Sequence, residues 1–176
     1  MLISTSRRPG HRTRILCREL ARVLPNVTYV PRGVKMINKL ASLASSLGHD
    51  RVMIVNSLAG RPGELRFLAA TEGWRWLDAW VELGEVKLQR ELGRKAKLEG
   101  TRFYAEGERA RDFVNFLGEL LGLPILDELP NTGAVALITS DDELQLQFQL
   151  QPSSEAIGPV LRIASFGRLH GEGGAG

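Results

Sequence analysis

The spacing of apolar positions changes repeatedly along the chain, and each change marks an element. "LIST", Leu2–Thr5, is a short β-prone run, followed by the turn signal Pro9-Gly10. From His11 to Leu24 the period becomes helical. At about 100° per residue, Leu16, Cys17, Leu20, Val23 and Leu24 share one face, and Arg14, Arg18 and Arg22 line another at i, i+4, i+8. Pro25 stops this helix, "VTYV" reads as a strand, and Pro31 and Gly33 end it. Met36, Ile37, Leu40, Leu43, Ala44 and Leu47 predict a second amphipathic helix that Gly48 terminates. "RVMIVN" is a continuous apolar run, as expected of a strand covered on both faces. "ELRFLAA" and "WRWLDAWVEL" add two strands. In the second, Leu77, Ala79, Val81 and Leu83 oppose Trp74, Trp76 and Trp80.

The second half starts again with two strands, "EVKLQREL" and "TRFYA". Phe113, Val114, Phe116, Leu117, Leu120 and Leu121 then predict a helix ended by Gly122 and Pro124. "AVALITS" and "ELQLQFQLQ" flank Asp141-Asp142 as a hairpin, with Leu144, Leu146, Phe148 and Leu150 on one face and four glutamines on a wet one. "VLRIASF" is the last strand, and the glycine-rich tail is expected to be disordered. A shift of 99 residues aligns Arg12 with Arg111, Ile15 with Val114, Leu24 with Leu123 and Pro25 with Pro124, which leaves an internal duplication open. The reading is α/β (α+β). An N-terminal basic half spans 1–84, a C-terminal half spans 85–166, and a tail covers 167–176.

The 176 residues are 43% apolar, enough for one sizeable core or two packed half-domains. Cys17 is the single cysteine and reads as a buried free thiol in a reducing cytoplasm. No apolar run approaches the roughly 20 residues of a membrane helix, and the start lacks a secretory signal. Charge changes the picture more. The net value is only +3, but residues 1–49 hold nine Lys or Arg against Glu19 alone, while the remainder is net acidic. One end of the molecule therefore carries a field that attracts polyanions.

Within that end, Arg7, Arg8, His11, Arg12, Arg14, Arg18 and Arg22 crowd a turn and the helix after it. Like charges at i, i+4 cost about 0.2–0.5 kcal/mol per pair, and cations early in a helix oppose its macrodipole. Phosphate would relieve both, because helix N–H groups and planar guanidinium forks suit its oxygens. Lys35 and Lys39, placed on the outer face of the second helix, extend the strip. The bland alternative is a solvated face paired to Glu72, Asp78 or Glu82. A second cluster, with Arg90, Arg94, Lys95 and Lys97, reads equally as RNA contact or plain loop. Trp74, Trp76 and Trp80 read first as packing beneath a helix, with base stacking as the alternative.

No phosphate-loop or dinucleotide motif occurs, and His11, His49 and His170 are scattered. Asp141, Asp142 and Glu143 read as a hairpin tip rather than a cation site. No catalytic residue, metal site, cofactor or small-molecule substrate is assigned, and an enzyme is not expected.

"LISTSRRPGHRTR…CRELARVLPN", then "TYVPRG" and "DRVMIVNSLAGRPGELRFL", resembles the Brix-domain family of ribosome-biogenesis proteins, most of all its short archaeal members. Thr5, Ser6, Arg7, Pro9, Leu24 and Pro25 match the signature, specifically over residues 2–70 and by element order to about 166. The resemblance implies two similar halves, each like the anticodon-binding domain of class II aminoacyl-tRNA synthetases. It also implies non-catalytic binding of rRNA or pre-rRNA, with guide small RNA and other assembly proteins as partners. The alternative is a protein–protein module whose basic face docks an acidic partner. Gly10 stands where many relatives have Ser, which reads as a minor change. The Gly-Pro-Thr signature of eukaryotic members is absent near residues 61–80, and their lysine-rich extensions are not in this sequence.

Overall fold

The computed structural model describes residues 1–93 and 97–169. In chain order the elements are β1 (Leu2–Thr5), α1 (His11–Val23), β2 (Thr28–Tyr29), α2 (Ile37–Ser46), β3 (Arg51–Leu58), β4 (Arg61–Ala69) and β5 (Arg75–Lys87). After a 3-10 turn at Gln89–Leu92 come β6 (Arg102–Glu106), α3 (Glu108–Leu121), β7 (Gly133–Thr139), β8 (Gln145–Gln151) and β9 (Glu155–Arg168).

The nine strands of the described residues form one mixed sheet in the order β2-β1-β3-β4-β5-β9-β8-β7-β6. β1 runs parallel to β2 and β3, and β6 runs parallel to β7; the other pairs are antiparallel. The pairings of β6, β7, β8 and β9 repeat those of β1, β3, β4 and β5, strand for strand. The two sets join through β5 and β9 into one sheet, so residue 84 lies inside β5 rather than in a linker.

Alternation along β1 and β3 decides which helix sits where. Ile3, Met53 and Val55 face α1, whose Leu16, Cys17, Leu20 and Val23 are at most 2% exposed. The same core takes Phe113, Val114, Leu117 and Leu120 of α3. Leu2, Val52, Ile54 and Leu68 point the other way, onto Leu40, Ala41 and Ala44 of α2. Thus β1 and β3 are covered on both faces, which for β3 is what its continuous apolar run predicts. Burial holds Cys17 as a thiol, its pKa pushed up to about 12.

Several expectations are corrected. "EVKLQREL" is not a separate strand: β5 continues to Lys87, and the 3-10 turn follows. The turn forms because the Glu91 carboxylate accepts the Leu88 N–H at 2.8 Å and the Glu19 carboxylate accepts the Gln89 N–H at 2.7 Å. In β8 the register shifts between Gln147 and Gln149. Gln149 and Gln151 are therefore buried and Leu150 is 45% exposed, so the glutamines do not form one wet face. Lys35 precedes α2 instead of lying on it. Gly167 and Arg168 end β9, whereas residues 170–176, and His170 with them, lie outside the described residues.

Candidate nucleic-acid interface

The turn from β1 into α1 is tied to the end of β3 by Ser57. Its N–H donates to Ser6 Oγ at 3.1 Å, and its Oγ accepts the Gly10 N–H at 3.1 Å and contacts Thr13 Oγ1 at 3.0 Å. Gly10 packs against the β3–β4 turn. A Cβ there would stand 2.0 Å from the Gly60 carbonyl oxygen, so serine at this position is not a minor change in this chain. With the turn held, Arg7 and Arg8 project into solvent.

Gly10 is also the N-cap of α1, without a side-chain cap, and no acid sits in the first turn. The positive end of the helix dipole therefore faces His11 and the arginines with no acid of α1's own first turn to offset it. His11, Arg14, Arg18 and Arg22 are exposed, and Arg18 lies 6.0 Å from the ring centroid of Tyr29 on β2. Lys39 is exposed on the first turn of α2. Lys35 Nζ donates to the Pro31 carbonyl at 3.1 Å.

Arg12 is the exception. It forks onto both carboxylate oxygens of Glu91 and donates to the Val86 carbonyl at 2.9 Å. Among the described residues it is the one member of the strip with a carboxylate partner; Glu72, Asp78 and Glu82 form no ion pair with the strip. Glu19, the local acid, is buried and turned toward the N–H groups of Gln89 and Arg90. Sequence reasoning missed Glu91 as the Arg12 partner, since 79 positions separate the two.

This pair sets a pH dependence. The Arg12 hydrogen bonds, then the Leu88 N–H, pull the Glu91 carboxyl down to about 2 from its usual 4.5. A depressed carboxylate stabilises the fold above its unfolded pKa, and the contribution is lost as pH falls toward the folded one. The stability difference between the protein and Glu91→Gln, read by urea titration, is therefore expected to shrink between about pH 4.5 and 2. A difference that stays constant over that window contradicts the assignment.

Of the second basic cluster, Arg90 and Lys97 stand next to residues that contact α1. Arg90 is exposed just beyond the Glu19 contact, and the Leu98 N–H bonds the Arg22 carbonyl at 2.9 Å. Lys97 is exposed, 3.8 Å from Glu99. Arg94 and Lys95 lie outside the described residues. Trp74 and Trp76 flank α2 rather than lying beneath it, 43% and 39% exposed, whereas Trp80 is half-buried beside Gly167 of β9. Arg66 and Trp76 were not picked out together by spacing, yet they share one cleft with Arg7 and Arg32.

His49 is engaged by the Met1 amine and Thr28 Oγ1, each at 2.9 Å, far from His11. Among the described residues no three His, Cys, Asp or Glu side chains converge, and no helix is long and apolar enough to cross a membrane.

No family model matches the chain. A "Probable Brix domain-containing ribosomal biogenesis protein" of Pyrococcus horikoshii is 43% identical over 96 residues, 54% of this chain and 42% of that protein. The match to that relative thus spans less than half of its length. A protein of the same name from Methanococcus maripaludis is 32% identical over 168 residues, 93% of this chain and 94% of that one. Among solved structures, a probable ribosomal biogenesis protein from Aeropyrum pernix superposes with TM-score 0.78 at 25% identity, covering 97% of this chain and 96% of that one. The similarity along nearly the full Methanococcus protein, over the same fold, places this chain in the Brix-domain family of ribosomal biogenesis proteins.

Proposed function

We propose that this protein is a ribosome-assembly factor that binds rRNA or pre-rRNA by its phosphate backbone, with no chemical step of its own. The observation that carries the reading is the set of exposed cations Arg7, Arg8, Arg14, Arg18 and Arg22, none of which meets a carboxylate of the described residues. A folded chain gains nothing from such a strip unless a polyanion completes it. Arg12 is spent holding α1 to the segment after β5, so it positions the strip and takes no phosphate. His11, Arg90 and Lys97 border the strip and extend it, whereas Lys39 stands with α2 on the other face of the sheet.

Family membership supports the cellular setting, and the names of the relatives support assembly of ribosomes. Isolation from cell lysate with and without ribonuclease tests the class of partner. We expect rRNA to co-purify and the associated proteins to leave with it after digestion. Retention of an acidic protein after digestion, with no RNA, overturns the proposal in favour of a protein-docking face.

A further inference from the structure

We propose that the cleft beside α2 is a separate subsite for one unpaired nucleotide of the RNA, with phosphate on Arg7, Arg32 and Arg66 and the base on Trp76. The inference rests on the RNA-binding reading and deepens it. The chain leaves β1 for α1 on one face of the sheet and β2 for α2 on the other. The carboxyl ends of these neighbouring strands therefore part, and open α/β sheets place their ligands in such a crevice. Here it is a cleft of about 520 Å³, open to solvent.

Its lining is unusual in charge. Arg7 follows β1, Arg32 follows β2 and Arg66 comes from β4, against Glu64 as the acid of the lining. Glu64 is already engaged, accepting the Asn56 amide at 2.8 Å and lying 4.0 Å from Arg66 Nε. Arg32 is only 6% exposed. Its Nε donates to the Lys35 carbonyl at 2.6 Å, which fixes the guanidinium, but its terminal nitrogens have no hydrogen-bond partner among the described residues. Burial, and then the neighbouring Arg7, make this cation costly in the free protein. An anion between them removes that cost.

Trp76 supplies the other half of a nucleotide site. It is 39% exposed at the cleft, and Trp74 meets it edge-on at 6.5 Å, at 86°, so the two indoles do not stack on each other. A site for phosphate alone would not require the ring. α1 packs on the opposite face of the sheet from Trp76, so the cleft engages a different part of the strand from the α1 arginines, with Arg7 near both.

The test compares hexauridylate with a 12-base-pair RNA duplex. Trp76→Ala is expected to weaken hexauridylate about 10-fold, the order seen for lost base stacking, and to leave the duplex within about 2-fold. Trp76→Phe should restore most of the loss. Arg14→Glu with Arg18→Glu should weaken both probes. If that double variant weakens both while Trp76→Ala changes neither, or both alike, the nucleotide subsite is refuted and RNA binding stands. If the unmodified protein binds neither probe, the RNA-binding reading fails as well. A measurement independent of Trp76→Ala folding uses Trp74→Phe with Trp80→Phe, leaving Trp76 as the emitter. Hexauridylate should quench its fluorescence, and an unchanged emission under saturating RNA overturns the proposal.

Discussion

Reversing two charges, Arg14→Glu with Arg18→Glu, is expected to lower affinity for rRNA fragments about 30-fold at physiological salt, from ~1 kcal/mol for each charged contact removed. The loss should be the same for unrelated RNA sequences, because phosphate contacts carry no sequence information. Folding should barely change. Both side chains are exposed and neither forms an ion pair among the described residues, so the fold loses only the long Arg18–Tyr29 contact and some mutual repulsion. Filter binding on two unrelated fragments, with thermal unfolding alongside, reads both quantities. A change in sequence preference at constant average affinity would assign these arginines to base reading instead.

Gly10→Ala should destabilise the protein by about 1–3 kcal/mol, the usual cost of forcing atoms into filled space. Backbone conformation is not the reason, since φ −62 and ψ 160 suit any residue. Space is: the added Cβ would overlap the Gly60 carbonyl oxygen at 2.0 Å, and the Gly60 atoms it meets are all backbone. The β1–α1 turn and the β3–β4 turn must move apart, which also strains the Ser57 hydrogen bonds that hold Arg7 and Arg8 outward. We therefore expect a loss of RNA affinity together with the fall in urea midpoint. Wild-type stability in Gly10→Ala would mean that the two turns are not in contact in solution.

The order of elements was largely legible because the apolar periods are clean. Leu16, Leu20 and Val23 lie where a helix face requires, and the alternation of β5 buries Ala79 and Val81 against the core as expected. Reading failed where a tertiary partner replaced a local rule. Leu88 and Leu92 alternate like a strand, yet carboxylates from Glu19 and Glu91 satisfy the N–H groups there and a 3-10 turn results. Gln149 and Gln151 look solvent-facing, but a register shift against β9 turns them inward, where their amides bond each other at 3.4 Å.

The cationic strip was visible as a strip because i, i+4 spacing is local. Its exceptions were not. Arg12 looks like its neighbours until the fold brings Glu91 to it, and Lys35 looks helical until α2 begins two residues later. The repeat of strand pairings was only hinted at by the 99-residue shift, since register leaves little trace in residue identity. We read that repeat as two related halves, a proposal that rests on topology. The cleft at Arg7, Arg32, Arg66 and Trp76 draws on four separate segments, and no spacing rule predicts such a meeting.

On the function proposed above, exposed guanidiniums on and before α1 bind RNA by displacing its counterions. A binding titration of an rRNA fragment across salt concentrations tests this most directly. Five or six phosphate contacts predict a log–log slope of about −4 to −5, at ~0.7–0.9 per phosphate. An affinity that does not change with salt would contradict it.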